Sequence, residues 1–403
     1  MTSVRKALVI GGGVAGPAAA MALQKAGIEA AVYEAYADPA DDVGVFLTVA
    51  TNGIDALRTI GADRDVVAAG FPTPKISLHN SGGKYLGGTN TGATLPDGTE
   101  SQTIRRAVLY RILQDEAVRR GIRIEGGKRL VAAQRTSDGV HAVFEDGTEA
   151  TGDILIGADG IDSTVRKIID PASRPPHYTG LINLGGYTDG VPVDTESCSY
   201  SMMFGKRAFF GYAVLPSREV WWYASLPHPK EPQKGELDAV DGLGWQRKLI
   251  SFFEHDSGPA VELIKKTRNP ENLRATTTRS VPNLATWYND RMVVIGDAAH
   301  APTPTSGQGA SLSIEDGVVL AKCLRDLPSP ERAFAAFEKL RRPRVESIIK
   351  VAGSINNNKA PGPLGAAIRD AFTPIVMKLM ANSKFMMSQY DYHIEWDEAV
   401  KAA

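Results

Sequence analysis

A glycine-rich turn between two short apolar runs constrains the fold of this chain more than any other feature. Ala7–Ile10 predicts a strand buried on both faces, and the turn that follows, Gly11–Gly16, has the spacing GxGxxG. The pattern continues with a predicted helix over Pro17–Ala26 and a second strand, Ala30–Tyr33, which ends at Glu34. In this βαβ order, phosphates lie at the helix N-terminus and the acidic residue accepts a ribose hydroxyl. The segment therefore predicts a dinucleotide site.

The three glycines of the turn have separate physical roles. Gly11 permits the tight turn, Gly13 lets the backbone approach a pyrophosphate, and Gly16 lets the helix pack closely on the strand. The segment also has features of a secretory signal, because Arg5-Lys6 precedes an apolar run. The glycines interrupt that run, however, and a strand explains it better. We therefore expect a cytoplasmic protein.

Composition excludes several classes of protein. The chain has 45 Lys+Arg against 46 Asp+Glu, which gives no basic excess for binding nucleic acid. Its two cysteines, Cys198 and Cys323, lie far apart and predict neither a disulfide framework nor a metal site. No uncharged apolar run is long enough to span a bilayer. We expect an enzyme, as a monomer or homodimer, with no nucleic-acid partner and no stable membrane insertion.

Two further apolar runs end in glycines and a carboxylate. Ile154–Ile156 leads into Gly157-Ala158-Asp159-Gly160. Met292–Ile295 leads into Gly296-Asp297-Ala298-Ala299-His300, then Gly307-Gln308-Gly309 and a predicted helix over 311–326. Open α/β sheets bind ligands at the carboxyl ends of their strands, so three motifs are expected to meet at one sheet edge.

Two arginines open a predicted amphipathic helix that follows residue 104. Arginine at a helix start opposes the helix dipole, which suggests that a local anion offsets it. For Arg105 the simpler interpretation is a surface ion pair. For Arg106 we favour contact with a cofactor phosphate or ribose.

The three motifs together resemble those of FAD-dependent class A flavoprotein monooxygenases. These are the p-hydroxybenzoate hydroxylase-like aromatic hydroxylases, and their relatives include urate hydroxylases and tetracycline-inactivating enzymes. The resemblance implies an α/β fold, with a Rossmann-like FAD-binding domain of the GR2 type, an inserted antiparallel β-sheet substrate domain and a C-terminal helical region. We expect the FAD-binding domain over 1–74, 104–172 and 279–342, the substrate domain over 75–103 and 173–278, and the helical region over 343–403.

The resemblance also implies which residues hold FAD. Glu34 would bind the adenosine ribose, Arg106 the ribityl-phosphate region, and Asp297 a ribityl or ribose hydroxyl. Asp159 would support flavin and NAD(P)H binding, and the Gly309–Ala310 amides would face the isoalloxazine ring. The expected FAD contacts are Gly11, Gly13, Val14, Ala15, Gly16, Glu34, Ala35, Leu47, Arg106, Asp159, Gly296, Asp297, Gly307, Gln308, Gly309 and Ala310.

The activity implied by the resemblance is a two-part reaction. NAD(P)H reduces FAD, and a flavin C4a-hydroperoxide formed with O2 then hydroxylates an aromatic or other electron-rich molecule. Pro304 would place its carbonyl near the oxygen-carrying carbon, whereas His300 is expected to be structural. The chain has no second GxGxxG, so NAD(P)H docks transiently or another protein reduces the flavin. The alternatives are a flavin dehydrogenase or oxidase on the same fold, and a flavin-binding sensor without turnover.

The expected substrate residues are Phe46, Arg207, Phe209, Tyr212 and Trp221. Gly205-Lys206-Arg207 resembles the urate-hydroxylase branch, in which the arginine binds substrate, and Trp221 stands where that branch has tyrosine. Side chains alternate along a strand, so Arg207 and Phe209 are expected on the flavin-facing side. Tyr212 would join them only through a bulge at Gly211. The competing interpretation is that Arg207 lies at a solvated strand end.

The C-terminal part of the chain predicts helices. An apolar stripe of Phe372, Ile375, Val376, Leu379 and Met380 is expected to face the core, with a membrane-lying helix as the alternative.

Overall fold

The computed structural model describes residues 4–37, 45–281, 283–357, 363–380 and 388–400. Its strands are β1 Lys6–Ile10, β2 Glu29–Tyr33, β3 Phe46–Val49, β4 Phe71–Pro72, β5 Lys75–Asn80, β6 Tyr85–Asn90, β7 Gln102–Arg105, β8 Arg123–Glu125, β9 Leu130–Arg135, β10 Val140–Phe144, β11 Glu149–Gly152, β12 Ile154–Gly157, β13 His177–Thr188, β14 Ser199–Phe204, β15 Phe209–Val214, β16 Val220–Pro227, β17 Thr276–Ser280, β18 Tyr288–Asn289 and β19 Met292–Val294. Its helices are α1 Ala15–Lys25, α2 Thr51–Thr59, α3 Arg64–Ala69, α4 Arg106–Arg119, α5 Thr164–Ile169, α6 Gly242–Phe253, α7 Ala260–Lys265, α8 Gly309–Asp326, α9 Pro330–Asn357 and α10 Pro363–Met380.

The first sheet is built from the apolar runs that precede the three motifs. Its strand order is β18-β19-β12-β1-β2-β8, and every pairing except β18–β19 is parallel. Ile10 pairs with Gly157, and Gly157 pairs with Val294, so the three runs end side by side. The expected convergence of the motifs at one sheet edge is confirmed.

The second sheet has the order β17-β13-β16-β15-β14-β5-β6. Strands β5 and β6 come from the excursion after residue 74 and join strands from residues 177–280. The sheet is mixed, because β5 pairs parallel with β14 while the other neighbours are antiparallel. Helices α6 and α7 pack on one face, where Phe210, Trp222 and Phe253 form part of a buried core.

A smaller sheet has the order β3-β7-β4 and contacts the cores of both larger ones. Its strands alternate between two environments, as pleated strands do. Leu47 packs against the core of the first sheet, whereas Phe46 contacts aromatic residues of the second sheet. The two large sheets therefore meet across β3 and β7.

The remaining elements complete the first unit. Strands β9, β10 and β11 form the predicted meander. Helix α8 packs against α1, α2 and α9. No described helix has both the length and the apolarity to cross a membrane.

The expectation for the apolar stripe of α10 is wrong. Phe372, Ile375 and Val376 are among the large apolar side chains exposed to solvent. The helix meets strand β6 through a different face, on which Met377 lies against Gly87. Because Gly87 has no side chain, the helix can approach the strand closely there. The side chains of Leu379 and Met380 lie outside the described part of the chain.

Candidate active site

The GxGxxG turn is closed to side chains at two of its glycines. Gly11 has φ +109°, and a Cβ there would lie 2.3 Å from the carbonyl oxygen of Ala158. A Cβ on Gly16 would lie 1.9 Å from the carbonyl oxygen of Gly11. At Gly13 the nearest contact would be the Tyr110 ring at 3.8 Å, so protein atoms do not crowd that position. These properties fit a turn that a pyrophosphate approaches at Gly13.

Glu34 is fixed beside the turn by backbone donors. Its Oε2 accepts a hydrogen bond from the amide of Gly12 at 2.5 Å, and its Oε1 accepts one from Tyr36 at 3.0 Å. Gln114 Nε2 donates to the Gly12 carbonyl at 2.6 Å, which holds the turn from the side of α4. A carboxylate oxygen can accept more than one hydrogen bond, so Glu34 retains capacity for a ribose hydroxyl.

Asp297 lies in the turn after β19 with its carboxylate partly covered. Burial raises the pKa of this carboxyl, while the charges of Arg106 and His300 lower it. Within the described residues, no donor makes a hydrogen bond to the Asp297 carboxylate, and Arg106 Nε instead donates to the Tyr110 hydroxyl at 2.7 Å. Arg106 and Asp297 are close enough for their charges to interact, and contact of Arg106 with a cofactor phosphate or ribose stays a prediction. A carboxylate that is partly covered and has no donor fits a ligand hydroxyl.

Helix α8 begins at the same sheet edge. Gly307, at φ +61°, ends the short turn Pro304–Ser306, and the helix starts two residues later at Gly309. The side chain of Gln308 is buried, and its Oε1 accepts a hydrogen bond from Asn52 Nδ2 at 3.0 Å. The first amides of a helix have no partners within the helix and carry partial positive charge. The start of α8 can therefore stabilise an electron-rich ring edge.

Asp159 has a local structural role in the second motif. Its carboxylate accepts hydrogen bonds from Ser163 Oγ at 2.5 Å and from the amides of Thr164 at 2.7 Å and Val165 at 3.1 Å. It thereby caps the start of α5. Arg166, buried in the same helix, donates to the carbonyl of Ala298 at 3.0 Å and ties this loop to the Asp297 turn. A contact of Asp159 with flavin or NAD(P)H stays a prediction.

The other expected residues lie along the same edge. Val14 and Ala15 stand at the start of α1, Ala35 follows Glu34, and Gly296 begins the turn that contains Asp297. Pro304 is exposed, and its carbonyl accepts a hydrogen bond from the Gly307 amide at 3.1 Å.

A cluster of buried charged residues holds the turn that contains Asp297. Asp316 accepts hydrogen bonds from the Gly296 amide at 2.9 Å, from His300 Nε2, and from Arg341 Nε at 2.7 Å. Burial alone would raise the pKa of Asp316, but His300 and Arg341 outweigh it and hold it at about 2. Arg341 also forms an ion pair with Glu315, 2.6 Å between Nη1 and Oε2. No motif pointed to these acidic residues, since a helical pattern does not show which polar residues it buries.

The side of the second sheet opposite α6 carries a group of aromatic rings, here called the aromatic face. Its members, which share contacts with one another and with β3, are Phe46, Phe71, Tyr187, Tyr200, Trp221 and Tyr223. Ring centroids of Phe46 lie 5.6 Å from Trp221 and 6.1 Å from Tyr223. Phe209 is next to this group, 6.0 Å from Tyr223. The sequence predicted Phe46, Phe209 and Trp221 as substrate residues, but it did not point to Tyr187, Tyr200 or Tyr223.

The expectation that Arg207 lies on the flavin-facing side is wrong, and the competing interpretation, a solvated position at the strand end, holds. The strand begins at Phe209, so Arg207 lies in the turn before it and does not follow the alternation. Arg207 is exposed, donates to the Ser251 carbonyl at 3.0 Å and stacks on Phe252 of α6, on the side away from the aromatic face.

Tyr212 does not line the expected pocket, which agrees with alternation along a strand that has no bulge. It is buried in the core beneath α6 and α7, and its hydroxyl bonds to Thr195 at 2.7 Å. The pairing of β15 with both neighbours is unbroken across Gly211, so no bulge redirects it.

The geometry defines a dinucleotide-binding fold in which a separate group of aromatic rings lies next to the predicted cofactor elements. The model of the FAD binding domain family matches residues 5–352, and the chain belongs to this family. It is 31% identical over 354 residues to the aurachin C monooxygenase/isomerase of Stigmatella aurantiaca, covering 86% of this chain and 87% of that protein. It is 26% identical over 350 residues to an FAD-dependent urate hydroxylase of Klebsiella pneumoniae, covering 85% and 88%.

The fold is shared with a solved structure of a related enzyme. The structure of Klebsiella pneumoniae HpxO complexed with FAD and uric acid matches with a TM-score of 0.82 and 22% identity, covering 96% of this chain and 98% of that one. Together with the family match, this confirms the predicted fold class, the FAD cofactor and the enzyme class. The protein is an FAD-dependent monooxygenase.

Proposed function

We propose that the enzyme consumes NAD(P)H and O2 and hydroxylates an aromatic or other electron-rich small molecule held on the aromatic face. The observation that carries this proposal is the position of that face. It lies against β3 and β7, the two strands that continue directly into the elements of the FAD site.

Strands β3 and β7 connect the aromatic face with the elements of the FAD site through specific contacts. At the end of β3, the Ala50 amide donates to Ser311 Oγ in the first turn of α8 at 3.0 Å. On β7, Thr103 Oγ1 bonds to the Tyr200 hydroxyl at 2.8 Å, and Arg106 follows the strand at the start of α4. A planar molecule on the aromatic face would thus lie beside the flavin-facing end of α8.

The aromatic face can orient such a molecule through ring packing. Aromatic pairs prefer offset or edge-to-face contacts, and each adds about 0.5–1.5 kcal/mol beyond the burial of area. Burial raises the pKa of the Tyr200 and Tyr223 phenols, so both stay protonated at neutral pH. The hydroxyl of Tyr223 has no hydrogen-bond partner among the described residues and could donate to a substrate oxygen.

The protein's other tasks are to hold FAD and exclude water. Bound FAD supplies the hydride acceptance and oxygen activation. The amides at Gly309 and Ala310 would stabilise negative charge on the flavin. The names of the relatives indicate aurachin C and urate as substrates of those enzymes, which supports a small-molecule substrate here.

The test is substrate-stimulated oxidation of NADH and NADPH by the FAD-loaded enzyme, with phenols, indoles, purines and polyketides as candidates. We expect at least one compound to stimulate oxidation and to gain one labelled atom from ¹⁸O2. Label from water, or product without label, would instead identify a dehydrogenase or oxidase. Phe46→Ala should raise the substrate KM, whereas Phe372→Ala, the same change at an exposed position on α10, should not.

A further inference from the structure

One cation lies at the edge of the aromatic face, although sequence analysis favoured a surface ion pair for it. Arg105 is the last residue of β7 and pairs directly with Phe46 across the strands, so their side chains share a side of the sheet. Its guanidinium lies 4.6 Å from the ring centroid of Tyr187 and 5.4 Å from that of Trp221. It is therefore part of the surface on which we propose that the substrate lies.

The donors of Arg105 are largely unused. Its ionic contact is with Glu219, at 3.6 Å between nitrogen and oxygen, which is longer than a hydrogen bond. That Glu219 oxygen already accepts hydrogen bonds from Arg268 and, at 2.9 Å, from Trp221 Nε1. No described residue accepts a hydrogen bond from the Arg105 guanidinium. An arginine side chain has five N–H donors in a planar arrangement.

The surroundings of Arg105 favour a ligand over bulk water. Contact with the Tyr187 and Trp221 rings limits where the guanidinium can move, which reduces the entropy lost when it binds an acceptor. The side chain is 43% exposed, so a ligand can reach it. Arg207, which was expected to bind the substrate, cannot compete for this role from the opposite side of the sheet.

We infer that Arg105 is a specificity-determining residue that binds an anionic or carbonyl oxygen at one end of an aromatic substrate. The inference rests on the proposed function, because it requires the aromatic body to lie on the aromatic face. It narrows the substrate to aromatic compounds that carry an electron-rich oxygen. That oxygen would lie on the edge of the molecule farther from the end of β3 that contacts α8.

The test uses two probes of similar shape, indole-2-carboxylate and 2-methylindole. Their dissociation constants would be measured with the FAD-loaded enzyme from the change in flavin absorbance, which does not depend on turnover. Arg105→Ala should weaken the binding of indole-2-carboxylate at least about tenfold, which is the effect expected when a hydrogen bond to a charged group is lost. The same variant should leave the dissociation constant of 2-methylindole nearly unchanged. Arg105→Lys should recover part of the affinity for indole-2-carboxylate.

Arg268→Ala is a matched control. Arg268 contacts the same Glu219 oxygen and is 42% exposed, but it does not stack on the aromatic face. This variant removes one positive charge from the same cluster, and it should leave the affinity for both probes near that of the wild type. FAD content of each variant, measured by absorbance, checks that it is folded.

Four outcomes would overturn the inference. An equal loss of affinity for both probes in Arg105→Ala would show that the residue only joins the two sheets. Equal loss of the carboxylate in Arg105→Ala and Arg268→Ala would show a general charge effect. Unchanged binding of both indoles with a tenfold weaker affinity for NADPH would show that the guanidinium holds a cosubstrate phosphate. If the wild-type enzyme binds neither indole, the proposed aromatic site fails, and the inference fails with it.

Discussion

The buried ionic cluster beneath the Asp297 turn allows a quantitative prediction about stability. Replacing Arg341 with methionine keeps an unbranched apolar chain but removes the charge that two carboxylates share. Arg341, Glu315 and Asp316 are each fully buried. Removing one partner of a buried ion pair typically costs about 3–5 kcal/mol, because the remaining charge is left uncompensated. We expect Arg341→Met to destabilise the protein by an amount at the lower end of that range, because Arg344 still pairs with Glu315 and His300 with Asp316.

The pKa of Asp316 indicates the same direction, although it reflects His300 as well as Arg341. Its pKa is held at about 2, against an ordinary value of 3.8. A difference of that size corresponds to about 2 kcal/mol of stability from this one carboxylate. Because the folded-state pKa is the lower one, the contribution is fully present above pH 3.8 and is lost as the pH falls towards 2.

The variant should show the opposite dependence on pH. Without Arg341, Glu315 keeps Arg344 and Asp316 keeps His300, but each carboxylate loses one charged partner, so burial raises both pKa values relative to the wild type. Protonation then relieves the uncompensated charge, so the stability difference between wild type and variant should narrow as the pH falls from 7 to about 4.

The assay is urea unfolding at saturating FAD, followed by tryptophan fluorescence and by flavin release. Arg279→Met is the control, since Arg279 makes two hydrogen bonds of 2.8 Å to Asp162 but that aspartate is 63% exposed. Exposed pairs contribute about 0–1 kcal/mol. If Arg341→Met destabilises no more than Arg279→Met, or if its deficit does not narrow at lower pH, the reasoning from buried charge is refuted.

Three further predictions concern the cofactor and the substrate. Asp297→Ala should weaken FAD binding by about 1.5–3 kcal/mol, as expected for a lost hydrogen bond to a charged group, and fluorescence titration of FAD would measure it. Glu34→Gln should lower FAD loading, whereas Glu29→Gln, at the exposed start of β2, should not. Equal loading of the two variants would show that the GxGxxG segment forms a tight turn without a ribose contact from Glu34. Arg207→Ala should leave the substrate KM and FAD content unchanged in steady-state assays, and a raised KM would place this arginine back at the substrate.

The elements of the first sheet could be predicted because their determinants are local. A short apolar run followed by glycine and a carboxylate identifies a buried strand and the turn after it, and three such runs occur in order along the chain. The pairing of Ile10, Gly157 and Val294 then follows from the fold that these runs build. Asp297 and Arg106 could be proposed as cofactor residues for the same reason, since each lies next to an element boundary.

The position of Arg207 could not be predicted because it depends on a tertiary contact. Alternation applies within a strand, and here the strand begins two residues later. The preceding turn is held by Asp256, whose carboxylate accepts the Lys206 amide at 3.0 Å and leaves no room for a side chain on Gly205. That contact joins residues fifty positions apart, and it directs the arginine towards α6. The surroundings of Arg105 also depend on tertiary contacts, since the rings beside it come from β13 and β16.

Gln308 shows how far the environment of a motif residue extends beyond the motif. Its amide is approached by Asn52 from α2 and by the Tyr390 hydroxyl from the segment 388–400. Burial raises the pKa of Tyr390 and Gln308 opposes that shift, so the phenol remains a neutral partner at physiological pH. The same segment is fixed to α9 by Arg344, which donates to the Gln389 carbonyl at 2.9 Å. The turn before α8 is thus positioned by three parts of the chain that share no pattern in the sequence, which is why the glycines of the motif indicate where the cofactor lies but not what holds the turn in place.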